Sequence, residues 1–230
     1  MHVLRGRADR ERDRELTAAL AERAATEDER GLRVWTPHKQ IAFGRRDVRS
    51  DGYHQAREIA IEHGYEPVER STGGRAVAYT GRTVGFVFVQ PIDDIRHGLG
   101  DRYERATETA QRALWRLGVP AQRGEPEDAF CPGDHSLQWH GKIVGIAQRV
   151  RRDVATVGGI VITDQHRAIA EVLTPIYDRL DIPFDPDSVG SIERAGGNYD
   201  PDAVIDAFIE LFTSGHETTV ESVDDAEIID

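Results

Sequence analysis

Residues 130–149 read FCPGDHSLQWHGKIVGIAQR, and this stretch contains the only cysteine of the chain, Cys131, and one of its two lysines, Lys142. A thiolate can carry an acyl group as a thioester, and a nearby cation can stabilise the thiolate and hold a carbonyl oxygen. The pair therefore indicates acyl transfer. The alternative is a buried cysteine that only packs, which is the more common role of an unpaired cysteine.

The same stretch predicts a β-hairpin, because apolar residues at 137–139 and 142–150 flank a turn that contains glycine. Strict alternation divides the second strand into two faces, with Lys142, Val144 and Ile146 on one and Ile143, Gly145 and Ala147 on the other. The small residues Gly145 and Ala147 leave room for a ligand. The alternative for Lys142 is an edge-strand lysine that prevents sheets from associating.

Two histidines, His135 and His140, lie close to Cys131 in the sequence. Either can act as a general base or acid, because imidazole titrates near neutral pH, and Asp134 can orient either ring. The alternative is that both are ordinary surface residues. The chain has no HExxH or CxxC spacing, so we expect no metal site.

A second informative stretch, residues 69–77, reads ERSTGGRAV. The adjacent glycines Gly73 and Gly74 let the backbone approach a ligand closely, and successive amides there can bind a carboxylate or phosphate. Arg70 and Arg75 flank the loop and can pair with the same anion. The spacing differs from that of the GxxxxGK[ST] phosphate-binding loop. The alternative is a tight turn between two solvated arginines.

The charge of the chain restricts its partners. Acidic residues number 41 against 29 basic ones, and the formal net charge of −12 repels nucleic acids and anionic membranes. Nearly all basic residues are arginines, and this acidic, lysine-poor composition is typical of halophilic archaeal proteins. The alternative is GC-rich codon bias combined with an acidic surface.

Other features of the sequence favour a cytoplasmic protein. A single cysteine excludes an internal disulfide. No apolar run approaches the roughly 20 residues needed to span a bilayer. The N-terminal residues MHVLRGRADRERDRE are too charged for a secretory signal.

Hydrophobic periodicity, glycines and prolines divide the chain into clustered strands with helices around them. The predicted strands are Leu32 to Trp35, Ile41 to Gly44, Tyr65 to Arg70, Ala76 to Tyr79, Val84 to Gln90, the two hairpin strands and Val154 to Thr163. The predicted helices are Asp9 to Glu29, Gly52 to His63, Asp101 to Leu117, Asp164 to Leu180 and Pro201 to Phe212. Such clusters favour an α+β fold, in which a mixed or antiparallel sheet carries helices on one side. We expect an N-terminal helical extension over residues 1–30, a catalytic domain over 31–213 and a frayed acidic tail over 214–230.

Three motifs together resemble the biotin/lipoate protein ligase superfamily. RSTGGRAV at 70–77 resembles the family's R-x-[ST]-G-G-[GR]-A-V loop. CPGDHSLQWHGKIVGIAQRV at 131–150 resembles a segment with the pattern G-[KR]-K-[IV]-x-G-x-[AS]-Q, and VWTPHKQIAFGR at 34–45 resembles W-x-P-x-x-x-x-x-G-R. The resemblance extends over residues 32–182 and implies the catalytic-domain fold of that superfamily.

In that superfamily the glycine-containing loop and the later strand build one acyl-binding tunnel. The resemblance implies that Lys142 contacts the carbonyl end of a lipoyl or octanoyl chain. The implied substrate-binding residues are Arg70, Ser71, Thr72, Gly73, Gly74, Arg75 and Ala76, together with Gly145 and Ala147. The acyl chain would be joined to a lysine of a lipoyl domain, on a 2-oxoacid dehydrogenase subunit or on the glycine cleavage H protein.

Two branches of the superfamily differ in mechanism. Lipoate–protein ligases use ATP and Mg, form lipoyl-AMP and need no cysteine nucleophile. A cysteine branch moves octanoyl or lipoyl groups between proteins through a thioester and requires no cofactor, and Cys131 matches its nucleophile. We therefore expect a cysteine-dependent transferase with the H protein as donor.

Two alternatives to the transferase stay open. One is the ATP-dependent ligase, although the Tyr-His-Asp that often follows the glycine loop of ligases is Tyr79-Thr80-Gly81 here. The other is a non-catalytic protein that binds lipoyl domains or small molecules and has kept the tunnel.

Overall fold

The computed structural model describes residues 1–70 and 73–226 and confirms the predicted α+β class. The strands are β1 (His2–Arg5), β2 (Gly31–Trp35), β3 (Gln40–Phe43), β4 (Glu66–Glu69), β5 (Val77–Tyr79), β6 (Val84–Pro91), β7 (Gln122–Arg123), β8 (Ser136–Gln138), β9 (Lys142–Val150), β10 (Val154–Val161) and β11 (Thr219–Ser222). The helices are α1 (Arg10–Thr26), α2 (Arg45–Val48), α3 (Tyr53–Glu62), α4 (Leu99–Arg116), α5 (His166–Arg179) and α6 (Pro201–Thr213), with one 3₁₀ turn at Pro186–Ser188. None of the described helices is long and apolar enough to cross a membrane.

The larger sheet has the strand order β11-β1-β2-β6-β10-β9-β8-β7. Its centre is antiparallel, whereas β1 runs parallel to both of its neighbours. Alternate side chains of β6 pack on opposite faces: Phe86 clusters with Phe208 of α6, and Val89 clusters with Leu20 of α1. Helices therefore cover both faces, and the expectation of helices on one side is wrong.

A second sheet has three strands in the order β4-β3-β5. Its core contains Phe43 together with Leu173 and Tyr177 of α5, and Ile160 near the end of β10 belongs to the same cluster. This shared core joins the small sheet to the large one, so that strands of both sheets face a common cavity.

The two ends of the described chain meet in the large sheet, where β1 lies between β2 and β11. Strand β11 pairs with β1 in parallel register. The expectation of a frayed segment after residue 213 is therefore wrong for β11, which is paired with β1 along one edge. The division into residues 1–30, 31–213 and 214–230 stays a prediction, and residues 227–230 lie outside the described part.

A buried arginine ties helix α1 to the large sheet. Arg33 of β2 is fully buried and pairs with the carboxylate of Asp13. Its Nη1 atom also donates to the Asp13 carbonyl at 2.7 Å and to Thr17 Oγ1 at 3.0 Å. Burial lowers the pKa of Arg33, and the hydrogen bond and charge of Asp13 oppose that shift. A charge in this position depends on its partner, because burial removes it from bulk solvent.

Replacing Asp13 by Ala leaves the Arg33 charge buried without its counter-ion. We expect the free energy of unfolding to fall by about 3–5 kcal/mol, measured by chemical denaturation. The double variant Asp13→Leu/Arg33→Met removes both charges and should be clearly more stable than Asp13→Ala. Equal stability of the single variant and the unaltered protein would contradict this account.

Candidate active site

The candidate site is a cavity of about 750 Å³ between the two sheets. Strands β6, β9 and β10 of the large sheet form one wall, β3 and β5 of the small sheet face it, and α1 borders one end. Cys131 and Lys142 both line this cavity. The fold therefore brings together the two residues that the sequence singled out.

The backbone of Cys131 is held in an unusual conformation. Its φ angle is +42°, in the left-handed region that non-glycine residues rarely adopt. Its amide donates to the hydroxyl of Tyr177 at 2.6 Å, and that hydroxyl donates to the carbonyl of Ala76 at 2.9 Å. Burial raises the pKa of Tyr177 well above its ordinary value, so the hydroxyl stays a donor. Tyr177 thus links the cysteine loop to the segment that follows the glycine pair.

Two donors converge on the sulfur of Cys131. The Nη2 atom of Arg70 and the backbone amide of Arg75 each lie 3.3 Å from Sγ. Arg70 also donates to the carbonyl of Arg75 at 2.6 Å, which fixes the guanidinium against the loop. Burial lowers the pKa of Arg70, but its interactions with Cys131, Tyr79 and Asp47 outweigh burial and raise the pKa overall. A cation and an amide on one sulfur stabilise a thiolate, the nucleophilic form of cysteine.

Lys142 is held by the cysteine loop. Its Nζ atom donates to the carbonyls of Phe130 at 3.1 Å and Cys131 at 2.9 Å, and it pairs with Glu125 at 2.7 Å. The side chain is 1% exposed, and β9 lies between β10 and β8. The alternative of an edge-strand lysine is therefore wrong, and this ammonium group fixes the loop that carries the thiol.

A β-bulge turns Lys142 toward the cavity. Leu137 pairs with Val144, but the next residue of β8 pairs with Lys142, so that Ile143 is the extra residue. Lys142 and Gly145 consequently share a face, and a Cβ atom at Gly145 would lie 3.2 Å from Cε of Lys142. The predicted alternation, which placed these two residues on opposite faces, is wrong because it assumed a regular strand.

A buried carboxylate, that of Asp47, binds the arginine that follows the glycine pair. Asp47 of α2 accepts from the amide of Gly44 at 3.0 Å and from Nη1 of Arg75 at 3.3 Å. Burial raises the pKa of Asp47, and these two hydrogen bonds act in the opposite direction. The side chain of Arg75 therefore points away from Cys131, while its amide points toward the sulfur.

The structure places most of the predicted substrate-binding residues around the cavity. The lining includes Arg70, Gly73, Gly74, Gly145 and Ala147. Ala76 is fully buried and contributes its carbonyl to Tyr177 instead. Ser71 and Thr72 lie outside the described residues.

The two histidines that the sequence suggested as acid or base pack against aromatic rings. His135 stacks on Tyr103 with ring centroids 3.9 Å apart, and His140 packs edge-on against Trp139. No hydrogen bond joins either ring to Cys131 within the described residues. Over the same residues, no group of three or more His, Cys, Asp or Glu side chains is arranged to hold a metal ion.

Sequence reasoning missed three supporting residues, Glu125, Asp47 and Tyr177. Glu125 lies in a polar loop whose path the local sequence does not determine. Asp47 follows a strand by a few residues, and its sequence context does not distinguish it from an exposed surface aspartate. Tyr177 belongs to a helix with a strongly apolar face, so its sequence context predicts a core residue. Each acts through a contact distant in sequence.

The chain belongs to the family described as the lipoyl protein ligase A/B catalytic domain, whose model matches residues 13–213. The predicted superfamily is thereby confirmed.

Curated relatives carry transferase names. The chain is 30% identical over 169 residues to an octanoyl-[GcvH]:protein N-octanoyltransferase of an Exiguobacterium strain, covering 72% of this chain and 58% of the relative. It is 26% identical over 152 residues to a lipoyl-[GcvH]:protein N-lipoyltransferase of Listeria monocytogenes, covering 64% and 53%. The chain thus spans about half the length of the curated relatives it matches.

Solved structures agree in fold. A lipoate-protein ligase A bound with ATP gives a TM-score of 0.71 at 18% identity, covering 96% of this chain and 88% of that one. A putative lipoate protein ligase from T. acidophilum with bound lipoic acid gives 0.68 at 18% identity, with the same coverage.

The glycine pair provides a matched test of the thiol geometry. A Cβ atom at Gly74 would lie 2.6 Å from Sγ of Cys131, and its φ of +93° disfavours any side chain; at Gly73 a Cβ would meet no described atom within 4 Å. Gly74→Ala should displace the sulfur from its donors and slow alkylation of Cys131 by iodoacetamide. Loss of one charge-assisted hydrogen bond, about 1.5 kcal/mol, corresponds to about tenfold.

Gly73→Ala is the control and should alkylate at nearly the unaltered rate. Equal rates for the two variants would show that the contact between Gly74 and the sulfur does not position the thiol.

Proposed function

We propose that this chain transfers octanoyl or lipoyl groups between protein lysines through a thioester on Cys131. The observation that carries the proposal is the sulfur of Cys131 on the cavity wall, 3.3 Å from both the Arg70 guanidinium and the Arg75 amide. The choice of acyl group and of protein substrates is supported by two further findings. The chain belongs to the lipoyl protein ligase family, and its curated relatives are named as octanoyl- or lipoyltransferases.

In the first step the thiolate attacks the carbonyl carbon of an acyl-lysine amide on the donor, which we take to be the glycine cleavage H protein. A C–S bond forms, the C–N bond breaks, and the leaving lysine nitrogen takes up one proton from solvent, which balances the proton that the thiol gave up when it ionised. The Arg75 amide and Arg70 lie close enough to the sulfur to hold the carbonyl oxygen as it gains negative charge.

In the second step the amine of a lysine on an acceptor lipoyl domain attacks the thioester. A C–N bond forms, the C–S bond breaks, and the amine proton returns to the sulfur. One amide replaces another, so the exchange balances without ATP. Lys142 keeps the cysteine loop in place through the carbonyls of Phe130 and Cys131 during both steps.

Intact-protein mass spectrometry tests the covalent step. The protein is incubated with octanoylated H protein and an apo lipoyl domain, with and without ATP and Mg, beside a second reaction that contains free octanoate or lipoate. We expect an octanoyl adduct on the protein and an octanoylated acceptor without ATP. Cys131→Ser should accumulate no octanoyl adduct that passes its acyl group to the acceptor. Its rate of acceptor octanoylation should fall by at least about 10³-fold, as expected when a covalent nucleophile is replaced.

The other outcomes distinguish the alternatives. Acceptor modification that needs free acid and ATP, and that survives in Cys131→Ser, would identify an ATP-dependent ligase. Binding of lipoyl domains without modification in any reaction would identify a non-catalytic binding protein. Full transfer by Cys131→Ser would exclude the thioester mechanism.

A further inference from the structure

Two adjacent glycines, Gly158 and Gly159, lie in the middle of strand β10. The strand pairs with β6 on one side and with β9 on the other, in regular register through both positions, so no bulge requires them. A glycine inside a strand weakens it, and it often marks a place where a ligand or another part of the protein approaches the backbone closely. Each of the two glycines therefore needs a physical explanation.

Close packing explains Gly159. A Cβ atom at this position would lie 2.5 Å from Cε1 of Phe86 and 2.6 Å from the carbonyl oxygen of Gly145. Phe86 belongs to the core between the large sheet and α6, and its ring occupies the space that a side chain at Gly159 would need. This glycine is therefore a requirement of the core.

Gly158 faces the other way and lines the cavity. Its φ angle lies outside the left-handed region that favours glycine. A Cβ atom here would lie 3.1 Å from the carbonyl oxygen of Phe86 and 3.4 Å from Cγ2 of Val87, contacts that a shift of a few tenths of an ångström relieves. Neither the backbone conformation nor the core requires this glycine, and its missing side chain enlarges the cavity.

The thiol and an apolar part of the cavity wall lie on opposite sides of β10. On the β9 side, Lys142 holds the loop that carries Cys131. On the other side, Trp35, Pro37 and Val87 line the cavity along β6 and its neighbour β2. Burial of a hydrocarbon chain against apolar side chains is favourable. An acyl chain attached to Cys131 therefore crosses β10 to reach this wall.

The easiest crossing lies over Gly158. Along β10 the residues that face the cavity are Thr156, Gly158 and Ile160, and of these three only Gly158 has no side chain. Ile160 is buried in the core that the two sheets share. The neighbour of Gly158 on β9 is Ala147, which contributes only a methyl group. The width available to a chain at this point is therefore determined by position 158.

The distal part of an eight-carbon acyl chain reaches this crossing. Gly145 lies beside Lys142 at the thiol end, and Ala147 follows Gly145 by two residues, about 7 Å along the strand. An extended eight-carbon chain is about 9 Å long at ordinary bond lengths. Its last carbons therefore lie level with Gly158. In an octanoyl group these carbons form an unbranched end, whereas in a lipoyl group they belong to a five-membered dithiolane ring.

We propose that Gly158 determines acyl specificity: the absence of a side chain there admits the dithiolane ring, so that the cavity accepts lipoyl as well as octanoyl groups. This inference rests on the proposed function, because it takes the acyl group to be carried on Cys131. A methyl group at position 158 leaves room for an unbranched chain and excludes the wider ring.

Transfer from two donors tests the proposal. Octanoylated and lipoylated H protein are each incubated with an apo lipoyl domain, and acceptor modification is followed by intact-protein mass spectrometry. The unaltered protein should transfer both groups. Gly158→Ala should lower the rate of lipoyl transfer by about tenfold or more relative to octanoyl transfer, since one methyl group in an apolar pocket changes specificity by about 10–200-fold.

Two further variants separate specificity from stability. Val157 is buried in the core on the opposite face of β10, so Val157→Ala weakens the strand without changing the cavity floor, and it should leave the ratio of the two rates unchanged. Gly158→Ala/Val87→Ala removes the side-chain methyl groups of Val87 beside the new methyl group and should restore part of the lipoyl rate. A loss caused only by strain in β10 would affect both acyl groups equally.

A chemical probe tests the passage without requiring acyl transfer. Alkyl methanethiosulfonates transfer an alkylthio group to a thiolate and release methanesulfinate, which leaves the alkyl chain attached to Cys131 as a disulfide. The hexyl reagent and an analogue that ends in a cyclopentyl ring should modify the unaltered protein at similar rates. Gly158→Ala should slow the ring-ended reagent about tenfold relative to the hexyl reagent.

The outcomes distinguish the two proposals. Equal effects of Gly158→Ala on both donors and on both reagents would overturn the role of Gly158, as would the same change of ratio in Val157→Ala. An unaltered protein that transfers octanoyl but not lipoyl groups would also overturn it. If neither donor supports transfer, the proposed function fails, and the thiosulfonate rates alone decide whether Gly158 sets the width of the passage.

Discussion

The buried ammonium group of Lys142 is the constraint on which the rest of the site depends. An ammonium group removed from water destabilises a protein by several kcal/mol unless its donors find partners. Here the partners are the Glu125 carboxylate and the carbonyls of Phe130 and Cys131. Satisfying this one cation therefore draws the polar loop before β8, the cysteine loop and β9 to a single point. The position of Cys131 therefore depends on where the charge of Lys142 is neutralised.

The charges of the molecule fall into two classes that respond differently to salt. At 1 M salt the screening length is about 3 Å, so exposed charges interact weakly, whereas buried pairs are screened much less. The pair formed by Lys142 and Glu125 belongs to the buried class, with the lysine 1% exposed. Arg14 and Arg151 belong to the exposed class. The geometry around Cys131 therefore depends little on the ionic strength of the solution, whereas the exposed arginines that line the cavity are screened by salt.

The sequence predicted the helices and strands that have a regular hydrophobic pattern. It did not predict the strands and site residues whose positions are determined by contacts distant in sequence. Periodicity located α1, α3, α4, α5 and α6 and the central strands, since each buries one regular face. It missed β1 and β11, which are short and exist through pairing with each other and with β2. It brought Cys131 and Lys142 together because both residue types are rare here. It did not reveal Asp47, Glu125 or Tyr177, whose contacts cross long stretches of chain and leave no local signal.

The bulge at Ile143 also bears on how this segment can change in length. In a regular strand, Lys142 and Gly145 would point to opposite sides, and only the extra residue turns the lysine toward the cavity. Deleting Ile143 would leave the lysine and Gly145 two positions apart, a spacing that shares one face of a regular strand, so the ammonium group would keep its direction. The lysine and the glycine can therefore occupy this face at either of two spacings, three positions apart with the bulge or two positions apart without it. Their separation in the sequence is set by the bulge, whereas their shared face is set by the cavity that both of them line.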